Sequence, residues 1–189
     1  SAREQMLRDI RQEVEMTRQY LRKDALDERV MAAMGAVPRD AFVPEPLRHR
    51  AFDNGPLPIG HGQTISQPYI VALMTDLLAP EAGDIMLEIG CGSGYQAAVL
   101  GRLVKQVHSL EIIPELAAAA ADRLESLGYR VLATVSSQEA LRLFEANRTA
   151  IDLLITDVIM PEMSGPELVR RILAKRPGCR HLFISGYAA

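Results

Sequence analysis

The stretch from Ile85 to Leu100 most constrains the fold of this chain. It runs from the apolar Ile85-Met86-Leu87-Glu88-Ile89 through Gly90-Cys91-Gly92-Ser93-Gly94 into a helix pattern with small and apolar residues on one face. Glycines at alternate positions suit a backbone that turns sharply and lets a ligand come close. After it, strand and helix signals alternate. Strands are expected at Val107 to Ile112, Arg130 to Val135, Ile151 to Asp157 and His181 to Ser185. A helix opens at Pro114, the favoured first position, and runs to Leu127 with Gly128 as its C-terminal cap. Ser136 and Glu139 have capping-box spacing before a helix from Ala140 to Ala146, and another helix spans Pro166 to Lys175. Five strands separated by helices imply an α/β fold in three αβα layers, with a parallel sheet, right-handed crossovers and helices on both faces.

The segment before Ile85 reads as an extension. Leu7, Ile10, Val14, Thr17 and Leu21 recur at helical spacing, so residues 3–23 form an amphipathic helix. A second short helix spans Asp27 to Gly35. Pro38, Pro44, Pro46, Pro56 and Pro58 then punctuate a long irregular stretch, which is functional or a linker. It ends in Gly60-His61-Gly62-Gln63-Thr64-Ile65-Ser66-Gln67-Pro68, followed by a helical run from Tyr69 to Leu78. A length of 189 residues suffices for one sizeable domain. A net charge of −3 gives no electrostatic case for nucleic acid or an acidic membrane. Cys91 and Cys179 lack metal-ligand spacing, so a reduced, cytoplasmic protein without a bound metal is expected. No apolar run approaches a membrane span, no secretory signal is visible, and Ser1 in place of Met reads as a processed or recombinant start.

The glycine spacing is not the dinucleotide pattern. Glu111 stands at the end of the next strand, where an acid can accept from ribose hydroxyls, and the pair favours a nucleoside ligand over a merely structural turn. The alternative for Glu111 is an acid at the N-terminus of the helix at Pro114. Ser66 is either an N-cap for the helix near Pro68 or a hydroxyl that orients a reacting group. His61 reads as a polar loop residue.

Longer motifs narrow the choice. Val37-Pro38-Arg39 with Phe42-Val43-Pro44, Pro56-Leu57-Pro58-Ile59-Gly60, Gln63 through Tyr69 and Leu87 through Tyr95 together resemble the protein-L-isoaspartate O-methyltransferases, over residues 5–128. The resemblance implies S-adenosylmethionine as cofactor and the free carboxylate of isoaspartyl residues in damaged peptides or proteins as substrate. It places Glu88, Gly90, Gly92, Gly94 and Glu111 around the cofactor and Ser66 at the reacting carboxylate. Methyl transfer from a sulfonium is an in-line displacement, so positioning matters more than a strong acid or base.

Residues 129–189 resemble something else. Ile151 through Asp157, Val158-Ile159-Met160-Pro161-Glu162-Met163-Ser164-Gly165 and Leu182 through Ala188 are similar to the second half of a response-regulator receiver domain. That resemblance makes Asp157 the phosphoacceptor position and Ser185 the hydroxyl ending the next strand. In a complete receiver, an acidic pair after the first strand helps hold Mg²⁺, and a lysine follows the fifth strand. Here Gly90-Cys91 stands at the first place and the chain stops before the second. Asp157 is therefore expected to be inert and Mg²⁺ is not expected to bind. Natural fusions join complete domains, because half a parallel sheet leaves an edge and an apolar face exposed. The chain thus reads as an engineered chimera. Residues 1–80 would be helices and substrate loop, and 81–189 one Rossmann-like or flavodoxin-like domain joined at about residue 128, with strand order 3-2-1-4-5. Four functions stay open: a scaffold that binds S-adenosylmethionine with methyl transfer impaired, an active methyltransferase, a phosphoacceptor module and an inactive scaffold.

Overall fold

The computed structural model describes residues 1–129, 133–134, 136–147, 151–160 and 162–185. The N-terminal part comprises α1 (Ala2–Leu21), α2 (Glu28–Ala36), a hairpin of β1 (Leu57–Gly60) and β2 (Gln63–Ile65), and α3 (Pro68–Leu77). Strands and helices then alternate through β3 (Ile85–Ile89), α4 (Tyr95–Leu100), β4 (Gln106–Leu110), α5 (Pro114–Ser126), β5 (Ala133–Thr134), α6 (Ser137–Asn147), β6 (Ile151–Asp157), α7 (Gly165–Lys175) and β7 (Arg180–Ile184). Strands β3 to β7 form one parallel sheet in the order β5-β4-β3-β6-β7. Counted from β3, that is the expected order 3-2-1-4-5. The expected third strand, Arg130 to Val135, is described only at Ala133–Thr134, and the rest lies outside the described residues. Pro161 and Gly186 to Ala188 of the receiver-like motifs also lie outside them.

The sheet is covered on both faces because its central strands alternate between two apolar layers. Met86 of β3 and Leu153 and Ile155 of β6 join a core with Ile10 and Val14 of α1, Met34 of α2, Val71 of α3 and Val99 of α4. On the opposite face, Leu87 and Ile89 of β3 and Leu154 of β6 pack with Phe144 of α6 and Leu168, Val169 and Ile172 of α7. Residues on both sides of position 128 therefore share each core. Parallel pairing sets Leu87 beside Leu154 and Glu88 beside Ile155. The Asp152 carboxylate accepts from the backbone N–H of Ile85 at 3.0 Å and from the Arg176 guanidinium at 2.7 Å, which ties the start of β6 to β3 and α7.

Caps follow the local sequence. Ser1 and Glu4 form a capping box on α1, and Asp27 caps α2. Buried Asp76 on α3 accepts from the backbone N–H of Asp27 at 2.7 Å and from Lys23, fixing the α1–α2 connection. Ser136 Oγ accepts from the Glu139 N–H at 3.1 Å, as the spacing predicts. The N–H groups of Gly128 and Tyr129 bond back into the last turn of α5. Ser164 caps α7, and Gly165 lies so close to the carbonyl of Asp157 that only a residue without Cβ fits. The stretch from residue 38 to 67 differs from the irregular loop expected. It holds two short 3₁₀ turns, Arg39–Phe42 and Glu45–Arg50, and the β1–β2 hairpin. Period-2 patterning is too short there to stand out from the prolines and glycines. Among the described residues, no helix is long and apolar enough to cross a membrane.

Because both halves share the Leu87–Phe144–Leu154 core, Phe144→Ala is expected to lower stability by about 3–5 kcal/mol. Urea unfolding followed by far-ultraviolet circular dichroism should show one transition at lower denaturant. A biphasic curve in which only the C-terminal half melts early would contradict a shared core.

Candidate functional site

A cleft of about 480 Å³ opens above the carboxyl ends of β3, β4 and β6. It lies where the crossover direction reverses between β3 and β6, the place at which open parallel sheets leave room for a ligand. Its floor is the turn between β3 and α4. Gly90, Gly92 and Gly94 take φ values of 90°, 54° and 87°, a region that residues with a Cβ rarely occupy. Gly90 and Cys91 both donate their N–H to the carbonyl of Leu110, at 2.7 and 3.0 Å, and Gly94 donates to the Cys91 carbonyl at 2.8 Å. The Arg123 guanidinium, from α5, donates to the Ser93 carbonyl at 2.8 Å. The turn is thus held from β4 and from α5.

Two acids, Glu88 and Glu111, line this cleft. Glu88 points to the α4 side of β3 and is paired in register with Ser109 of β4, whose Oγ donates to Glu88 Oε2 at 2.7 Å. Burial raises the Glu88 carboxyl to about 7, and the nearby charges of Glu111 and Asp157 push the same way, against the Ser109 hydrogen bond. Glu111 follows β4. Its Oε2 accepts from Gly92 N at 2.8 Å and its Oε1 from Ile113 N at 3.0 Å, so one carboxylate clamps the glycine turn to the start of α5. It therefore stands at the mouth of the cleft and also partners an N–H group beside Pro114. Cys91 is buried, which raises its thiol far above the usual range and makes it a packing residue rather than a nucleophile.

Asp157 ends β6, and its carboxylate enters the same cleft. Asp157 Oδ2 lies 2.6 Å from where a Cβ on Gly90 would stand, so the acid rests against the bare backbone of the turn. Burial, then the charge of Glu111, raises it to about 6. Ser185 follows β7 and also lines the cleft. Among the described residues, no group of three His, Cys, Asp or Glu side chains could hold a metal ion.

Ser66 reaches the cleft from the hairpin side. It does not cap α3, whose N-cap is Gln67 without a side-chain bond. Instead its carbonyl accepts from Arg39 Nη2 at 2.8 Å. Arg39 is fully buried, donates also to the carbonyls of Ala51 and of Gly55 (3.2 Å), and stacks over the Tyr95 ring at 5.6 Å. Sequence reasoning gave this arginine no role; the clue was a lone Arg between Pro38 and an apolar run, where a buried guanidinium can gather several carbonyls. Gln96, on α4, is a second such residue. Its amide donates to Thr75 Oγ1 at 2.8 Å, and its buried Oε1 has no donor among the described residues. His61 is exposed in the hairpin turn at φ 53°.

Comparison with known proteins gives two matches. Residues 11–141 match the family model described as protein-L-isoaspartate(D-aspartate) O-methyltransferase, and residues 110–189 match that of the response regulator receiver domain. The two overlap through 110–141, so α5, β5 and the start of α6 satisfy both patterns. Protein-L-isoaspartate O-methyltransferase 2 of Nitrosococcus oceani is 61% identical over 125 residues, covering 66% of this chain and 57% of that protein. Its namesake in Syntrophobacter fumaroxidans is 54% identical over 129 residues, covering 68% and 52%. The chain spans just over half the length of these curated relatives. Among solved structures, a protein-L-isoaspartate O-methyltransferase aligns with a TM-score of 0.58 at 22% identity, over 80% of this chain and 46% of that one. A Plasmodium falciparum protein of the same description, in complex with S-adenosyl-L-homocysteine, aligns with a TM-score of 0.56 at 20% identity, over 80% and 76%. Such identities show a shared α/β fold.

Two outcomes follow from the geometry. Gly90→Ala places a Cβ against the Asp157 carboxylate at a positive φ, and is expected to cost about 1–3 kcal/mol in chemical denaturation. Glu88 is raised in the fold above its ordinary value of 4.5, so the native state binds more protons between pH 4.5 and about 7 and stability falls as pH rises through that window. Glu88→Gln should remove much of that slope and gain roughly 1–3 kcal/mol at pH 8, read from urea midpoints across pH.

Proposed function

Since the chain belongs to the protein-L-isoaspartate(D-aspartate) O-methyltransferase family, we propose that it binds S-adenosylmethionine and S-adenosylhomocysteine in the cleft over the glycine turn, with methyl transfer impaired. The observation that carries this reading is the Glu111 carboxylate, held by Gly92 N and Ile113 N at the mouth of an open cleft. Ribose hydroxyls are the groups an acid at the end of a second parallel strand accepts from. Gly90, Gly92 and Gly94 let a ligand lie against the turn, and Glu88 supports its floor. The cofactor supplies an electrophilic methyl group. The chain's own part is to hold it in line with an incoming carboxylate and to exclude water.

Impairment follows from the second half. Residues from about 129 are receiver-like, and with residues 81–128 they make one sheet around the proposed site, residues 1–80 providing the helices and hairpin. The overlap of the two family matches suits a chimera exchanged within 110–141, where both patterns agree. From the end of β6 the cleft wall is Asp157 and then Val158, Ile159 and Met160, a loop of receiver character. An isoaspartyl peptide would meet that wall from the hairpin side. The readings of a phosphoacceptor and of an inactive scaffold have less support, since the charge on Asp157 meets other acids rather than groups that stabilise a phosphoryl.

One observation favours retained activity as a second reading. Ser66 lines the same cleft as the glycine turn, and Arg39 fixes its backbone. A hydroxyl there can orient a substrate carboxylate, which is already nucleophilic at neutral pH.

Isothermal titration with S-adenosylhomocysteine is expected to give a saturable heat, weakened at least about tenfold by Glu111→Ala through loss of the ribose acceptor and of the turn's clamp. No heat at high ligand concentration removes the binding reading. Transfer of labelled methyl from S-adenosylmethionine to an isoaspartyl peptide should be no faster in the parent chain than in Ser66→Ala. A clear excess in the parent chain would favour the active enzyme.

A further inference from the structure

Among the described residues, the cleft has an uncompensated charge. Its lining contains Glu88, Glu111 and Asp157, and among the described residues it includes no lysine, arginine or histidine. Two of the acids are already served by the protein. Glu111 takes two backbone N–H groups, and Glu88 takes the Ser109 hydroxyl. No hydrogen bond or ion pair to the Asp157 carboxylate occurs among the described residues, although it is half-buried against Gly90. The charged and titratable groups around it are Glu88 from β3, Cys91 in the turn and Glu111 after β4. Ser185 follows the adjacent β7, and the guanidinium of Arg123, which reaches the turn from α5, is directed at the Ser93 carbonyl. Among the described residues, a carboxylate so placed lacks a cation.

Resting on the cofactor reading above, we infer that Asp157, contributed by the receiver-like segment, is the specificity-determining counter-ion of this cleft and selects the cationic sulfonium form of the cofactor over its neutral thioether product. The two ligands differ by one methyl group and one positive charge. A carboxylate in a partly water-excluded cleft acts on that difference and leaves the shared adenosine and amino-acid parts alone. When the methyl leaves sulfur for a carboxylate oxygen, the sulfonium takes the bonding pair and becomes a thioether. No proton moves, and the attraction to Asp157 ends with the charge. The residue that reads as a phosphoacceptor by resemblance thus acquires a different use, because β6 carries it against Gly90 rather than against a receiver's acidic pair.

Asp157 sits raised to about 6, so it is ionised at pH 8 and largely neutral at pH 5. Glu88 titrates in the same window, and for that reason the variant is measured at both pH values. The experiment is isothermal titration of the full chain and of Asp157→Asn with S-adenosylmethionine, with S-adenosylhomocysteine and with sinefungin, which carries an amine in place of the sulfonium. At pH 8 the parent chain should bind the two cationic ligands about tenfold more tightly than the thioether. At pH 5 that preference should shrink to about threefold or less. In Asp157→Asn the preference should be about twofold or less at pH 8, with affinity for the thioether changed by less than about threefold. The variant separates the part of the pH dependence that belongs to Asp157 from the part that belongs to Glu88 and to the ligands' own amines. The variant replaces a desolvated acid by its neutral isostere, so its melting temperature should equal or exceed that of the parent chain. An unchanged preference in Asp157→Asn, with S-adenosylhomocysteine still bound, overturns the role of Asp157 and leaves the cofactor reading standing. Absence of heat from all three ligands in the parent chain removes both.

Discussion

The parallel pairing of β3 with β6 holds the rest of the molecule in place. Leu87 lies beside Leu154 and Glu88 beside Ile155, so each face of the sheet receives side chains from both strands at once. One face becomes the floor for α1 to α4 and the other for α6 and α7. A slip of one residue in this register would turn Leu154 toward the wrong layer and bring Leu153 and Ile155 with it. Asp152 helps prevent the slip by accepting from Ile85 N where the two strands begin. At the other end the same pairing delivers Asp157 to Gly90. Fold and cleft therefore depend on one register.

The cleft inherits its electrostatics from that arrangement. Strands in a parallel sheet end together, and here three of them end in or near acids. Such a site is costly to assemble, and the cost appears as the raised protonation of Glu88 and Asp157. It is moderated by donors the fold supplies locally, with Ser109 in register beside Glu88 and two backbone N–H groups at Glu111. The N-terminal segment buries a positive charge as well, at Arg39. Arg39 gathers three carbonyls from Ala51, Gly55 and Ser66 and lies over Tyr95, so one guanidinium organises the loop that brings Ser66 to the cleft.

The part of the fold legible in the sequence was that with local causes. The 3.6-residue spacing of α1, the proline at the start of α5, the Ser136–Glu139 cap and the apolar run of β6 each act within a few residues. Their boundaries shift by at most three positions in the structure. Strand order was legible too, because right-handed crossovers leave few ways to arrange five parallel strands. The hairpin at 57–65 was not legible, since its strands are three and four residues long and embedded among glycine and proline. The role of Ser66 also differs from the cap considered for it. Its backbone is claimed by an arginine 27 positions away, a contact no local pattern encodes.

From its residues alone, the chain determined the strand–turn–helix at Ile85 to Leu100, the alternation that follows and the two family resemblances, because these rest on backbone propensity and short-range periodicity. Only the tertiary structure decided which acids face one another. Glu88, Glu111 and Asp157 are separated by up to 69 residues in sequence, and they meet because parallel strands from both halves end on one side of the sheet. The tertiary structure also decided that Gly90 must lack a side chain because of Asp157, and that a buried Arg39 holds the loop carrying Ser66. Each of these is a close approach between distant segments, governed by packing and desolvation rather than by local conformation.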